Sequence, residues 1–143
     1  MEQVEDEAVR VLEMNIRIYE KMGMNNYWLR VSLPDFDGHP EKYSGDRERW
    51  ETAADALRRA AKRIGREYVE VKDEAAFYGP KIDVQSKSIR GKEGTIATVQ
   101  VDIMVPKRVG LSYIDEHDKP AIPVVIHRAI LGSFERFFGT LVE

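Results

Sequence analysis

Two runs of alternating apolar and polar residues, 82–85 and 98–105, are separated by Ser88-Ile89-Arg90-Gly91-Lys92. That turn is too short to hold the helical crossover a parallel pair needs, so the two runs must pair as an antiparallel hairpin. In Thr98-Val99-Gln100-Val101-Asp102-Ile103 the alternation is strict. Val99, Val101, Ile103 and Val105 fall on one face, and Thr98, Gln100 and Asp102 on the other. Runs at 68–71 and 111–114 carry the same two-residue period, and antiparallel sheet is the natural reading of all four.

Outside these runs the period is helical. Val4, Ala8, Val11, Leu12, Ile18, Tyr19 and Met22 make one apolar stripe, so residues 3–22 read as an amphipathic helix stopped by Gly23. Residues 27–33 read as a strand ending at Pro34, and residues 34–45 as an Asp-, Gly- and Pro-rich loop. Trp50, Ala53, Ala54, Leu57, Ala60, Ala61 and Ile64 share one helix face, with Asp46 as N-cap and Gly65 as C-terminal stop. Ile130, Phe134, Phe137, Phe138 and Leu141 define a last helix whose stripe is expected to point at the sheet. Sheet segments with helices between and after them predict an α+β domain, mainly antiparallel, with flanking helices.

A chain of 143 residues that is 43% hydrophobic and 33% charged has material for one core. It has no apolar run long enough to span a bilayer and no secretory leader, which predicts a soluble intracellular, cytoplasmic protein without a membrane partner. The absence of cysteine excludes a disulfide scaffold and any thiolate metal site within the chain. A formal charge of -3 argues against nucleic acid as a direct ligand of these residues, because a domain that grips nucleic acid unaided usually carries a basic face. The chain starts directly in helical pattern and stops without glycine, proline or a basic last turn, so both edges look cut, although short termini also fray.

Three segments carry polar groups with chemical potential. The row Thr98, Gln100, Asp102 suits an ordinary solvent-facing sheet; Lys81, Asp83 and Gln85 form a second row that the hairpin brings alongside, and together the rows suit a polar ligand site. In Phe77-Tyr78-Gly79-Pro80-Lys81 the Gly-Pro pair sets a turn between two aromatics and a lysine able to meet a phosphate or carboxylate, or else a packed aromatic corner. In the segment 124–136 an apolar strand delivers His127, Gly132-Ser133 makes a small-residue turn, and Arg136 lies one helical turn beyond Ser133. A planar, permanently charged guanidinium suits a polyphosphate; the competing roles are a hydrogen-bonded core histidine for His127 and a salt bridge from Arg136 to Glu135 or Asp102. A catalytic zinc needs three protein ligands, and His39, His117 and His127 stand at spacings that no metal motif joins.

The segments Phe77-Tyr78-Gly79-Pro80-Lys81-Ile82-Asp83, Thr98-Val99-Gln100-Val101-Asp102 and Ile126-His127-Arg128-Ala129-Ile130-Leu131-Gly132-Ser133, with Glu135-Arg136, closely resemble the class II threonyl-tRNA synthetases in order and spacing. Glu41-Lys42-Tyr43-Ser44-Gly45 and the Trp50 helix extend the likeness over essentially the whole chain. The resemblance implies that Arg136 is the arginine of class II motif 3 that binds the ATP γ-phosphate, that Ser133 lies beside the adenylate, and that His127 is one of three zinc ligands. It implies that Tyr78, Lys81 and Gln100 line the threonine and adenylate pocket, with Lys81 close to the reacting phosphate and carboxylate; Lys81 and Arg136 are then the residues expected to act in catalysis. Zinc, and ATP with magnesium, are the implied cofactors. Zinc takes up the amino group and hydroxyl of threonine together in this family, which suits the physics: an apolar pocket separates threonine from valine poorly, whereas a site that needs a hydroxyl rejects valine strongly.

The family's motif 1, its motif 2 arginine, its zinc cysteine, its other zinc histidine and its anticodon-binding domain have no counterpart in residues 1–143. Thr95 stands where many members have a glutamine contacting the adenylate. The implied reading is the motif 3 half of a threonine–tRNA ligase catalytic domain, inactive alone, whose parent is a homodimer acting on threonine, ATP and tRNA(Thr). A piece of this kind is expected to self-associate through surfaces that the absent half would cover. The rival readings are a stand-alone paralogue acting as a binding or regulatory module, and a small-ligand binder.

Overall fold

A computed structural model describes residues 1–142. Along the chain the elements are α1 (Val4–Lys21), β1 (Tyr27–Leu33), α2 (Arg47–Ile64), β2 (Tyr68–Lys72), β3 (Lys81–Lys87), β4 (Glu93–Asp102), α3 (Val105–Arg108), β5 (Tyr113–Ile114), β6 (Pro120–Ala121), β7 (Val125–Ala129) and α4 (Phe134–Val142). Five strands form one mixed, mostly antiparallel sheet in the order β2-β1-β3-β4-β7, and β5 and β6 make a separate two-stranded ribbon.

The helix α2 forms where its local chemistry says it should. The Asp46 carboxylate accepts from the Glu48 backbone N–H at 2.9 Å, which satisfies one of the orphan donors of the first turn. Gly65 closes the other end in the left-handed region at φ 70°, a conformation that a Cβ would oppose. Between the caps Trp50, Ala53, Ala54, Leu57, Ala60 and Ala61 are all buried, and the small alanines let the helix sit close to α1 and to the sheet. The Trp50 indole N–H donates to Ser44 O at 3.0 Å, and its ring meets Phe36 and Tyr43 edge-on at 5.6 and 5.7 Å, which fixes the loop between β1 and α2.

The core is the layer between α1, α2 and one face of the sheet. Leu29 and Val31 of β1, Ile82 and Val84 of β3, and Ala97, Val99 and Val101 of β4 point into it, each nearly without solvent contact. The hairpin closes as expected, with Ser88 N–H donating to Lys92 O and Gly91 N–H to Ser88 O. A register shift at Val84/Gln85 leaves Val84 opposite Ala97 but Gln85 opposite Thr95, so Ile96 is the extra residue of a bulge.

Four expectations change. The run at 68–71 is a strand, but it pairs parallel to β1 because α2 supplies the crossover that parallel pairing requires. The run at 98–105 stops at Asp102, since Val105-Pro106 form the first turn of α3 and the Asp102 carboxylate accepts from the Met104 and Val105 amides, which places Val105 outside the strand. The run at 111–114 shrinks to Tyr113–Ile114 in the separate ribbon. The stripe of α4 does not lie on the sheet, because Phe134 is 89% and Phe138 69% exposed, and Ile130 precedes the helix.

Candidate functional site

The sheet face turned away from α1 and α2 carries the polar rows. Antiparallel register sets Ser32, Lys81, Gln100 and His127 directly opposite one another on β1, β3, β4 and β7, and beside them Arg30, Asp83, Thr98 and Ala129. Neighbouring strands lie about 4.8 Å apart, so the first row spans roughly 14 Å across the sheet. The sequence pattern alone identifies the β3 and β4 members. Arg30 and Ser32 alternate with Leu29, Val31 and Leu33 in the sequence, but only the pairing of β1 with β3 shows that they join this row.

Phe77-Tyr78-Gly79-Pro80 folds over this surface and is stitched to β4 by two backbone hydrogen bonds, Val101 N–H to Pro80 O at 3.0 Å and Ile103 N–H to Tyr78 O at 3.1 Å. The approach is so close that a Cβ on Gly79 would sit 1.7 Å from Val101 O. The corner hangs Tyr78 over the row: its hydroxyl donates to Gln100 Oε1, its ring lies 5.5 Å from the His127 ring, and Phe77 packs edge-on at 4.9 Å. Burial, and after it the negative charge of Asp102, hold the Tyr78 phenol above its ordinary pKa, so it is a neutral donor at physiological pH.

Two buried carboxylates organise the row. The side chain of Asp83 is 2% exposed, and its Oδ2 accepts from Arg30 Nη2 at 2.9 Å, Lys81 Nζ at 2.9 Å and Ser32 Oγ at 3.2 Å. One buried anion thus holds two cations, and the half-exposed Glu74 carboxylate 3.8 Å from Arg30 supplies the second negative charge, so the group is balanced. Asp102 is equally enclosed. Its Oδ1 takes the Met104 and Val105 amides at 3.0 and 2.8 Å, and its Oδ2 lies 2.9 Å from His127 Nε2.

Tyr78, Lys81, Gln100 and His127 therefore share one surface, whereas Ser133 and Arg136 stand elsewhere. Ser133 Oγ accepts from the Arg136 backbone N–H at 3.3 Å at the start of α4. The Gly132 position before it presses on β4, where a Cβ would lie 3.1 Å from Ile96 O. The Arg136 side chain lines a separate groove of about 810 Å³ with Thr95, Arg90, Lys92 and Thr140. Gln100 lies five positions beyond Thr95 on β4, roughly 16 Å along the strand. Among the described residues the Arg136 guanidinium forms neither of the salt bridges considered for it, to Glu135 or to Asp102. His127 is hydrogen-bonded but half exposed rather than a core residue.

His39 and His117 lie apart from His127 in loops, His39 between Glu41 and Asp73 and His117 beside Glu116. Among the described residues no three His, Asp or Glu side chains gather as a metal cluster, so a zinc ion would have one ligand here, His127, and does not fit as a closed site of this chain alone. No helix among the described residues is long and apolar enough to cross a membrane.

The threonine–tRNA ligases of Geobacillus sp. strain WCH70 and Bacillus subtilis strain 168 are each 44% identical to the chain over 99% of its length. The chain spans 22% of the length of these relatives. Among solved structures, a chain described as the RNA binding domain of threonyl-tRNA synthetase from Cryptosporidium parvum superposes with a TM-score of 0.85 at 34% identity, covering 99% of this chain and 34% of that one. A putative threonyl-tRNA synthetase from Aeropyrum pernix superposes at 0.79 and 36% identity, covering 96% of this chain and 32% of that one. The model of the class II tRNA synthetase core domain (G, H, P, S and T) matches residues 1–143, and the chain belongs to that family, with its likeness to threonine–tRNA ligases running through every element described above.

Proposed function

We propose that the chain is the motif 3 half of the catalytic core of a threonine–tRNA ligase, and that the polar sheet face is its share of the threonine and adenylate site. The observation that carries the reading is the continuous row Lys81, Gln100 and His127 with Tyr78 hung over it. In the whole enzyme the threonine carboxylate attacks the α-phosphorus of ATP, the adenylate forms and pyrophosphate leaves, and the threonyl group then passes to tRNA(Thr). Lys81 would hold the reacting carboxylate and phosphate by charge, Tyr78 and Gln100 would orient the ligand by hydrogen bonds, and Arg136 would neutralise the γ-phosphate. Thr95, in the groove that Arg136 lines, and Gln100 lie roughly 16 Å apart along β4, a length that threonine and ATP laid end to end can cover.

Zinc, when bound, would supply a Lewis acid for the amino and hydroxyl groups of threonine. In this reading His127 contributes one ligand and residues outside these 143 contribute the rest. Magnesium would accompany ATP, the parent would work as a homodimer, and the setting would be the cytoplasm.

The isolated chain lacks the arginine that motif 2 provides in the family, so no threonine-dependent ATP–pyrophosphate exchange is expected from it; robust exchange would overturn the assignment of the missing work to other residues. Binding of a non-hydrolysable threonyl-adenylate analogue, followed by calorimetry, tests the site itself. Weak binding lost on Arg136→Ala and on Lys81→Ala supports the reading, and no binding at saturating analogue refutes it for this chain.

A further inference from the structure

Three donors meet on a single oxygen of Asp83. Arg30 Nη2 at 2.9 Å, Lys81 Nζ at 2.9 Å and Ser32 Oγ at 3.2 Å all address Oδ2, although a carboxylate oxygen offers only two lone pairs. One donor is therefore surplus to the hydrogen bonding. What decides which of them can leave is charge. The carboxylate is buried, and a buried anion needs an opposite charge as well as hydrogen bonds. If Lys81 leaves, Arg30 and Ser32 still supply both. Without Arg30, Lys81 is the sole cation on Asp83, and its departure strands the anion with a hydroxyl alone. β4 offers no substitute, because Thr98, directly opposite Asp83, has its hydroxyl buried with no partner among the described residues.

The three donors also differ in freedom. Ser32 is buried on β1, and the Arg30 guanidinium is held between Asp83 and Glu74. Lys81 begins β3, and its side chain bends back along its own strand to reach Asp83, away from its register partner Gln100. Its backbone is anchored, since Pro80 O accepts from Val101 N–H at 3.0 Å. The flexible stem of a lysine can swing the ammonium from Asp83 to the row of Gln100 and His127 with no backbone movement.

We infer that Arg30 is a positioning residue: by keeping the buried Asp83 paired, it lets Lys81 leave that carboxylate for an anionic ligand, a carboxylate or a phosphate, on the row. Lys81 is thus parked on Asp83 in the empty site, and Arg30 sets how easily it is released. The identity of the anion rests on the reading of this face as a threonine and adenylate site; the release of Lys81 does not.

The test uses the 143-residue chain and reads Lys81 directly. Acetylation by an N-hydroxysuccinimide ester, followed by peptide mass spectrometry, reports how often the Lys81 amine is off Asp83, with the exposed Lys62 of α2 as internal reference. In Arg30→Met the Lys81 rate relative to Lys62 should fall about 10-fold or more. Adding Asp83→Asn to that variant should return the rate to the wild-type value or above, because no charge is left to strand. A merely structural role for Arg30 gives the opposite pattern, since loosened packing exposes Lys81 and speeds its acetylation. Asp83→Asn alone should also speed acetylation and make it indifferent to Arg30→Met, which keeps the inference open to refutation if the single Arg30 variant unfolds. A rate that does not fall in folded Arg30→Met, or a fall that Asp83→Asn fails to reverse, overturns the inference. Calorimetry with the threonyl-adenylate analogue on the same variants separates it from the reading of the face. Binding weakened in Arg30→Met and recovered in the double variant supports both, and binding indifferent to Arg30→Met overturns the inference. The expected acetylation pattern without analogue binding at saturation keeps Arg30 as a positioning residue and removes the ligand reading from this chain.

Discussion

Gly79→Ala is the substitution whose effect the structure sets most tightly. A glycine outside the left-handed region usually tolerates alanine, and the change commonly stabilises by about 0.4–1 kcal/mol because the unfolded chain loses freedom. Here the added methyl carbon would lie 1.7 Å from Val101 O and 2.9 Å from the carbonyl carbon behind it, and both are backbone atoms of a central strand that cannot rotate away. The corner must lift. Lifting it breaks the bonds from Val101 N–H to Pro80 O and from Ile103 N–H to Tyr78 O, each contributing about 1 kcal/mol. Overpacking of this kind adds about 1–3 kcal/mol, so the total is about 3–5 kcal/mol, a large part of the stability of a domain of this size. For a chain of this length that corresponds to a fall in Tm of about 10–15 °C, read by calorimetry or by far-UV circular dichroism. Gly139→Ala is the matched control, because it lies within α4 with nothing within 4 Å of the added carbon and should stabilise by about 0.5–1 kcal/mol. If Gly79→Ala melts no lower than Gly139→Ala, the corner does not press on β4 and the placement of Tyr78 over Gln100 goes with it.

Four further outcomes are open to measurement. Asn15 is 1% exposed in the core and neither end of its amide has a partner among the described residues, so Asn15→Leu should raise the unfolding free energy by about 1–3 kcal/mol, read from denaturant titration; a fall would mean an ordered partner is present. Tyr19 is buried with its hydroxyl donating to Ile130 O at 2.7 Å, and burial pushes its phenol well above the ordinary value. Its contribution is complete below about pH 10 and fades as alkali removes the proton in the unfolded chain, and Tyr19→Phe should flatten that alkaline loss. The Arg59 and Arg63 guanidiniums hold the Glu5 carboxyl below its usual range, so its contribution is complete above about pH 4.5 and is lost as acid takes the pH through the depressed value. Arg59→Gln with Arg63→Gln should shrink the acid-side fall in Tm, and because the pairs are exposed, added salt should do the same. Finally, sedimentation should show concentration-dependent association that Phe134→Ser with Phe138→Ser abolishes; a monomer at every concentration would refute a role for the α4 face.

What the sequence makes legible is what local physics decides. Asp46 and Gly65 delimit α2 because caps act within a turn, and the hairpin around residues 88–92 is legible because so short a connection permits one pairing. The rows on β3 and β4 follow, since register and alternation together fix which side chains share a face. The polarity of β2 is not legible, because a five-residue strand reads the same in either direction and only the position of α2 decides it. Nor is the end of β4: Ile103 and Val105 continue the alternation perfectly, but Asp102 spends its carboxylate on the next two turn amides and bends the chain away. The aromatics of α4 mislead in a more instructive way. Phe134, Phe138 and Leu141 have the spacing of a core-facing stripe, and spacing states only that a helix has an apolar side, not that this chain contains what covers it.

The candidate site divides along the same line. Tyr78, Lys81, Gln100 and His127 come together through strand register and one short corner, whereas Arg136 depends on how α4 is carried away from β7 through Gly132-Ser133. The first group is held by buried carboxylates and main-chain bonds to a central strand, so its geometry is a property of these residues. The second is held by a turn and an exposed helix, so its geometry is a property of whatever packs on α4. A ligand that bridges the sheet row and the Arg136 groove would therefore find one half preorganised and would have to order the other, and binding by the chain alone should be weak for that reason even if every contacting residue is present.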